Sequence, residues 1–400
     1  MTYESETKRG TRPLIDAVAA LIPGPVLRLR FLRAVMPATE QYPPRALYRS
    51  SHRSAFLIPL LVVLLMFTAP ASIPPLRRAS GPARGSVGLT WPPPAAFNAV
   101  TAVLNDQPPE IWQVEKTSGF ETYSNGLRID NRFSVANRPR SYRVISATHP
   151  DDLRGEPRSL PVGIVFHTTE SLQVPFEARQ NSALERVGES LLAYVKLKKA
   201  YNFVIDRFGR VYRVVQETDA ANHAGNSIWS DSEWLYLNLN ESFLAVSFET
   251  QTLPAQQEAA VNPAQVHSAA ILTDMLRQRF GIPAGNCVTH AQVSVNAANL
   301  RIGYHFDWAS SFPFEQLGLP DNYKLPLPAV SLFGFEYDSG FRRQAGPRLY
   351  QEAELAGHLL RERASAARLQ VPVYRTALQK RYRSQLAAVH GRAGRTEPEE

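Results

Sequence analysis

Residues 161–167 read PVGIVFH, a continuous apolar run that ends in a histidine. A run of this kind is typical of a buried strand, and it places the imidazole of His167 at the edge of the sheet. Residues 242–250, SFLAVSFET, predict a second buried strand. Residues 201–215, YNFVIDRFGRVYRVV, predict a hairpin that turns at residues 206–209. The centre of the chain therefore carries the strands of a sheet.

Helices are predicted between and after these strands. Residues 182–199 carry apolar side chains at helical spacing. Asn262 and Pro263 open a long amphipathic helix that runs through Phe280 and is capped by Gly281. Because strands and helices alternate, the predicted fold class is α/β, with a central mixed β-sheet flanked by helices.

The flanks of this sheet have their own patterns. Short segments in which polar and apolar residues alternate, from about residue 110 to residue 145, predict a small N-terminal β unit. Two basic C-terminal helices are predicted over roughly residues 349–369 and 373–389. The chain then divides into six segments: a basic N-terminal region 1–54, a signal peptide or signal anchor 55–73, a Pro/Arg-rich linker 74–105, the β unit 106–157, the main domain 158–324 and the basic helical region 325–400.

Residues 55–73 form an uncharged stretch, AFLIPLLVVLLMFTAPASI, preceded by Arg45, Arg49 and Arg53. This charge arrangement is the one expected of a segment whose N-terminal side stays inside the cell. The sequence therefore predicts an exported protein, periplasmic or in the cell envelope, with an inner-membrane anchor if the segment is not cleaved. A buried core helix is the alternative interpretation.

The net charge of +8 and the pI near 9.6 favour an acidic partner: nucleic acid, anionic lipid or a cell-wall polymer. The basic residues concentrate at the two ends, and no nucleic-acid reading module lies between them. We therefore expect no nucleic acid, but membrane or wall attachment. The single cysteine, Cys287, excludes an intramolecular disulfide and is expected to be a small buried residue.

Three segments carry side chains that could bind a metal. His167 ends the first strand, His290 follows the long helix in CVTHAQVS, and His305 and Asp307 lie together in GYHFDWASSF. Two imidazoles and one carboxylate brought from distant segments fit a catalytic zinc site, which keeps one coordination position for water. Separate structural histidines are the alternative.

The run from PVGIVFHTTE to FDWASSFPF resembles the zinc-dependent N-acetylmuramoyl-L-alanine amidases of the type 2 family, which are related to peptidoglycan recognition proteins and phage amidases. Five motifs match in order: FHTTE, AYNFVIDRFGRVYRVVQETDAANHAG, AVSFET, THAQVS and HFDW. The resemblance covers about 165 of the 400 residues. It implies Zn²⁺ as the cofactor, held by His167, His290 and Asp307.

The resemblance also implies roles for other side chains. Glu249 matches a general base, with a strand-end ion pair as the alternative. Tyr201 matches a hydroxyl that supports the oxyanion, with a core tyrosine as the alternative. Substrate contacts are implied or considered for three further residues, each with a packing role as the alternative: His223, Thr168 and Trp229.

The chain departs from the family at two positions. His305 stands two residues before Asp307, where relatives commonly have lysine or threonine. It is expected to stabilise the oxyanion as an imidazolium; replacing Asp307 as third ligand is the alternative. Ser247 replaces a typical glycine, and the loop from His290 to Asp307 is longer than usual.

The implied activity is zinc-dependent hydrolysis of the amide between N-acetylmuramic acid and L-alanine in peptidoglycan or muropeptides, with an activated water as nucleophile and Glu249 as base. The competing hypothesis is a non-catalytic peptidoglycan-binding or sensing module. An amidase of another amide, or of anhydro-muropeptides, is a third possibility.

Overall fold

The computed structural model describes residues 109–253 and 261–390. The predicted signal segment 55–73 and linker 74–105 lie outside the described residues, as does the basic region 1–54. Among the helices of the described ranges, none is both long and apolar enough to cross a membrane.

The strands of the described residues form three sheets. In chain order they are β1 (Gln113–Lys116), β2 (Phe120–Tyr123), β3 (Arg128–Asp130), β4 (Tyr142–Ser146), β5 (Glu156–Arg158), β6 (Gly163–Thr168), β7 (Phe203–Ile205), β8 (Val211–Arg213), β9 (Ile228–Ser230), β10 (Trp234–Leu237), β11 (Phe243–Phe248), β12 (Cys287–Thr289), β13 (Val295–Asn296) and β14 (Arg301–Ile302). The main sheet has the order β1-β2-β3-β8-β7-β11-β6-β12. A second sheet has the order β5-β4-β10-β9, and β13 pairs with β14.

The α-helices of the described residues are α1 (Asn181–Lys198), α2 (Leu239–Ser242), α3 (Pro263–Phe280), α4 (His290–Val293), α5 (Pro328–Ser331), α6 (Ser339–Ala366) and α7 (Val371–His390). The predicted α/β class with a mixed sheet and flanking helices is confirmed, because parallel and antiparallel pairs coexist in the main sheet. The predicted hairpin is the antiparallel pair of β7 and β8.

Four adjacent parallel strands, β7, β11, β6 and β12, form one end of this sheet, with β12 at its edge. All residues of β6 and β11 are buried, which explains their continuous apolar character. The first residue of β6, Gly163, has to be a glycine, because a Cβ there would lie 2.0 Å from the ring of Phe243 on β11. The register places Ser247 of β11 beside His167 of β6.

Helices cover both faces of the sheet. On one face, Leu272 of α3 belongs to a buried cluster with Phe166 and Val246. On the other, Leu192 of α1 belongs to a cluster with Val204. Full burial of one such side chain is worth about 1.5–3 kcal/mol, so these two layers fix the sheet between α1 and α3.

The ends of α3 lie where the sequence predicts them. The side chain of Asn262 accepts a hydrogen bond from the backbone N–H of Gln265 at 3.0 Å, and Gln265 returns a bond at 3.3 Å. Gly281 ends the helix in the left-handed conformation, with φ 65°.

The predicted N-terminal β unit is not set apart from the main domain. β3 pairs with β8 in parallel, so β1 to β3 extend the main sheet, while β4 pairs with β10 of the second sheet. Alternating hydrophobicity predicts a strand but does not specify its partner, which only the packed structure decides.

The C-terminal helices also pack on the domain. α6 begins at Ser339, ten residues before the predicted start at residue 349, because the helix continues past Pro347 through a kink at Gly346, where φ is 70°. Its Leu349 and Ala353 are buried in a cluster that includes Tyr382 of α7. The last ten residues of the predicted basic region, 391–400, lie outside the described residues.

Candidate metal centre

The candidate site lies at the carboxyl ends of the parallel strands β11, β6 and β12, at one end of the main sheet. His167 is near the end of β6, Glu249 follows β11 directly, and His290 follows β12 as the first residue of α4. Carboxyl ends of neighbouring parallel strands meet at one edge of a sheet, which is where ligands bind in α/β folds. Asp307 reaches the same place from a loop, and its carbonyl accepts a hydrogen bond from the backbone N–H of Ala291.

Among the described residues, His167, His290 and Asp307 form one buried group whose ligand atoms all lie within 4.8 Å of one another. Nδ1 of His290 lies 2.9 Å from Oδ1 of Asp307, and Nδ1 of His167 lies 3.2 Å from Oδ2 of Asp307. The carboxylate therefore faces both Nδ1 atoms. Tetrahedral zinc with bonds of about 2.0 Å needs donor atoms about 3.3 Å apart, close to these spacings.

The ionisation of the group suits a cation. Burial, and after it the neighbouring His290, lower the pKa of His167 to about 4, so its imidazole is neutral near pH 7. Burial raises the pKa of Asp307, but the charge of His290 and the hydrogen bonds from both histidines outweigh it and hold that pKa well below its usual range. Two imidazole nitrogens and a carboxylate oxygen are a donor set that zinc accepts, so the residues fit the metal that the resemblance implies.

His223 touches the first ligand from the side opposite Asp307. Its Nδ1 lies 3.0 Å from Nε2 of His167. The backbone N–H groups of His223 and Ala224 donate to Oδ1 of Asn240 at 2.9 and 2.7 Å, which fixes the His-Ala-Gly segment. Nothing in the spacing of the sequence marked Asn240, because an asparagine on a short helix such as α2 carries no distinctive pattern.

His305 lies beside the site. Its ring stacks on that of His290, with centroids 4.5 Å apart. Partial burial and the neighbouring His290 lower the pKa of His305 to about 4. The lowered pKa favours a neutral imidazole, which can still donate one N–H, although the side chain of His305 is exposed to solvent. The predicted oxyanion role of His305 stays a prediction. His305 is not a member of the group of converging ligand atoms, which contains Asp307 instead.

Tyr201 and Thr168 are in contact, because the hydroxyl of Tyr201 donates to the carbonyl of Thr168 at 3.5 Å. The ring of Tyr201 is 5.2 Å from that of His167, and burial with the charge of Asp307 raises its pKa, so the phenol keeps its proton. Thr168 is 4% exposed, and its hydroxyl donates to Glu170 at 2.8 Å. That hydrogen bond helps to hold the strand end, and the hydroxyl oxygen can still accept. The predicted substrate contact of Thr168 stays a prediction.

Glu249 is buried one step further along the sheet edge. Ser247 of β11 pairs with His167 of β6, and Glu249 follows Ser247 by two residues. The backbone of Glu249 therefore lies about 7 Å further along the strand direction than that of His167. Its Oε2 accepts a hydrogen bond from the backbone N–H of Arg207 at 3.1 Å. Burial raises its pKa to about 7, and the Arg207 hydrogen bond opposes part of that shift. A carboxyl group with a pKa near neutral can both accept and return a proton.

Trp229 does not face the site. It is 2% exposed, belongs to a buried cluster, and donates its indole N–H to Asn286 at 3.1 Å. The prediction that this ring binds substrate is corrected, because strand β9 turns it into the core between the sheets. Cys287 is buried, as expected, and burial raises the pKa of its thiol to about 12.

Solved structures similar to this chain include three peptidoglycan-related proteins. The N-acetylmuramyl-L-alanine amidase AmiD from E. coli, solved with anhydro-N-acetylmuramic acid-L-Ala-D-gamma-Glu-L-Lys, is 17% identical over 68% of this chain and 98% of its own, with a TM-score of 0.34. AmpDh3 from Pseudomonas aeruginosa, solved with an anhydromuramic pentapeptide, is 17% identical over 49% of this chain and 72% of its own, with a TM-score of 0.31. The Drosophila peptidoglycan recognition protein SD is 14% identical over 40% of this chain and 80% of its own, with a TM-score of 0.25.

No curated protein matches the chain in a sequence comparison. The family model described as N-acetylmuramoyl-L-alanine amidase, Amidase_2, matches residues 157–300. That segment contains His167, Glu249 and His290, while Asp307 lies seven residues beyond its end. The recognition made from the ordered motifs is thus confirmed: residues 157–300 match the model of the N-acetylmuramoyl-L-alanine amidase family.

Proposed function

We propose that the protein hydrolyses the amide that joins the lactyl group of N-acetylmuramic acid to the first L-alanine of a peptidoglycan stem peptide. The observation that carries this proposal is the buried convergence of His167, His290 and Asp307 within and beside the segment that matches the amidase family. A binding module would not need three metal-ligand side chains at one point. The complete set favours an enzyme over a sensor.

In this proposal the three side chains hold zinc. Bound there, zinc would supply Lewis-acid polarisation of the substrate carbonyl and a lower pKa for water. Asp307 supplies the negative charge of the donor set. A histidine that gives a ring lone pair to a metal does so as neutral imidazole, so the two histidines would add no positive charge. The remaining chemistry belongs to groups of the chain that surround the ligands.

Glu249 would move the proton. Its carboxylate takes a proton from water during attack on the amide carbonyl and returns it to the nitrogen of L-alanine as the C–N bond breaks. The raised pKa, about 7, matches both halves of that task near neutral pH. The Arg207 N–H holds the carboxylate in place.

Two neutral donors would face the carbonyl oxygen as it gains negative charge. The phenol of Tyr201 keeps its proton, and the lowered pKa of His305 favours a neutral imidazole. Each can donate one hydrogen bond to the oxyanion, and removal of one such donor typically costs about 10²–10³ in kcat.

The location of the enzyme is also a proposal. Residues 55–73 support export to the periplasm or cell envelope, either cleaved or retained as an inner-membrane anchor. Fusion of residues 1–105 to a reporter that is active only outside the cytoplasm tests it. A reporter that is inactive with residues 55–73 intact would contradict export.

The activity is tested with purified protein, muropeptides and mass spectrometry of the products. We expect free stem peptide and peptide-free saccharide, both lost after chelation and restored by zinc. The experiment includes Glu249→Gln beside the native protein. Muropeptide binding with one zinc per chain but without cleavage would support a sensor instead, and absence of zinc binding would contradict the site.

A further inference from the structure

A groove of about 300 Å³ opens beside the candidate site, between the loop that precedes Asp307 and the start of α6. Its wall includes the side chains of Asn296, Asn299, Arg301, Tyr304, Asp338 and Gln344. Most of this wall lies after residue 300, outside the segment that matches the amidase family.

The backbone around the groove is fixed before any ligand arrives. The N–H of Ile302 donates to the carbonyl of Glu336 at 3.0 Å, and the N–H of Glu336 donates to that of Leu300 at 2.9 Å. Gly303 forms the floor with φ +80°, and a Cβ there would lie 2.5 Å from the ring of Phe341. A side chain at residue 303 would thus displace α6, so the shape depends on this glycine.

The groove is connected to the metal centre through aromatic rings. His290, a candidate ligand, stacks on His305 at 4.5 Å, and His305 meets the edge of Tyr304 at 4.7 Å. Tyr304 is 59% exposed, so one of its faces is free for a ligand. Tyr304, in the wall of the groove, is thus two ring contacts away from the candidate ligand His290.

The polar side chains of the groove are three amides and one ion pair. Within the described residues, the side-chain Nδ2 groups of Asn296 and Asn299 and the amide of Gln344 bond to no other residue; the asparagine oxygens accept only from nearby backbone N–H groups. The guanidinium of Arg301 is already paired with Asp338 at 2.6 Å. Free amides beside an exposed aromatic face suit hydroxyl and acetamido groups on a sugar ring.

We propose that this groove binds a sugar residue of the glycan strand, next to the muramic acid that carries the scissile amide. The inference rests on the proposed function for its orientation, but the sugar binding itself does not require catalysis. The stem peptide is the other part of the substrate that could reach this place. Its carboxylates would need an unpaired cation, and Arg301 is neutralised by Asp338.

The test is a direct binding measurement that needs no turnover. Calorimetry is performed with the full chain and a peptide-free tetrasaccharide of alternating N-acetylglucosamine and N-acetylmuramic acid. We expect the native protein to bind it, and Tyr304→Ala and Asn299→Ala each to raise Kd by about tenfold. The matched control is Trp112→Ala, since Trp112 is equally exposed, at 60%, beside the opposite edge strand β1.

Two outcomes would overturn the inference. One is a tetrasaccharide Kd that is unchanged in both groove variants, or no binding by native protein. The other is a groove variant that weakens a free stem tripeptide but not the tetrasaccharide, which would assign the groove to the peptide. Zinc content and amide hydrolysis are measured separately, so an inactive protein that still binds the saccharide through Tyr304 would contradict the proposed function and leave the groove assigned.

Discussion

Nε2 of His167 lies 3.0 Å from Nδ1 of His223, while Nδ1 of His167 faces Asp307 at 3.2 Å. When Nδ1 of His167 offers its lone pair to a cation, the proton of that ring resides on Nε2 and is donated to His223. The hydrogen bond thus selects the tautomer and orientation that metal binding needs. His223 acts as a positioning residue for the ligand.

We expect His223→Ala to lower zinc affinity by about 10- to 100-fold, because the ring of His167 loses its orienting acceptor. His223→Gln should recover most of the affinity, since its amide oxygen can accept from Nε2 of His167. Competition with a chromogenic chelator measures both values. His267→Ala, an exposed histidine on α3, is the control, and equal zinc affinity in His223→Ala and native protein would refute the positioning role.

Glu249→Gln should lower kcat by about 10²–10⁴ while the zinc affinity stays within a factor of two or so, because the amide cannot accept the proton and the carboxylate is not one of the ligands. Steady-state hydrolysis of a muropeptide and zinc titration measure the two quantities. Glu233→Gln, at an exposed site, serves as control. A kcat of Glu249→Gln close to that of the native protein would show that Glu249 has a structural role and is not the base.

The pH dependence of kcat/KM follows from the same carboxyl group. Burial raises the pKa of Glu249 to about 7, and the base works only when deprotonated, so activity should rise with pH, with the midpoint of the rise near or below that value. A bound cation lowers the pKa of a nearby carboxyl group, so zinc would shift the acid limb of the profile to lower pH. The limb should disappear from the residual activity of Glu249→Gln. An identical limb in that variant would assign it to another group.

His305→Ala distinguishes the two roles that the sequence left open. If His305 donates to the oxyanion, His305→Ala should lower kcat by about 10²–10³ and leave the zinc affinity unchanged. If His305 is a zinc ligand, the same variant would lower the zinc affinity. We expect no such loss, because His305 is not among the three side chains whose ligand atoms converge. Tyr201→Phe is the companion variant, since it removes a second donor and leaves the ring beside His167. A loss of zinc from His305→Ala would require the ligand set to be redrawn.

A buried carboxyl group ties α6 to the helix that carries His290. Glu352 is 1% exposed and accepts from Nε2 of Gln292 at 2.6 Å, and Gln292 also accepts from the N–H of Thr289. Burial raises the pKa of Glu352 well above its usual range, while Gln292 opposes part of the shift. The folded state therefore keeps a proton that the unfolded state releases above about pH 4.5, so stability falls as pH rises.

Glu352→Gln removes this titration and keeps an acceptor for Gln292. The free energy of unfolding of the variant, relative to native protein, should grow by up to about 1.4 kcal/mol per pH unit until the folded-state pKa is passed. Urea unfolding at several pH values measures it, with the exposed Glu362→Gln on the same helix as control. A difference that does not vary with pH would show that Glu352 is ionised in the folded protein.

Local pattern was enough to predict much of the fold. The apolar runs of β6 and β11, the turn at residues 206–209 and the Asn262 cap of α3 depend on side-chain period and capping chemistry within a few residues, which the sequence states directly. The identity of His167, His290 and Asp307 also followed from the sequence, through the ordered motifs rather than their spacing.

Other features depended on which surfaces met. The pairing of β3 with β8, the burial of Trp229 against Asn286, the lowered pKa of His305 and the groove beside Tyr304 arise from contacts between residues far apart in the chain. Periodicity gives the inward face of an element but neither its partner nor the electric environment of its polar groups, because both depend on distances set by packing. The sequence by itself determined the class of fold and the side chains that could bind zinc, and only the tertiary structure decided which of the neighbouring groups orient them.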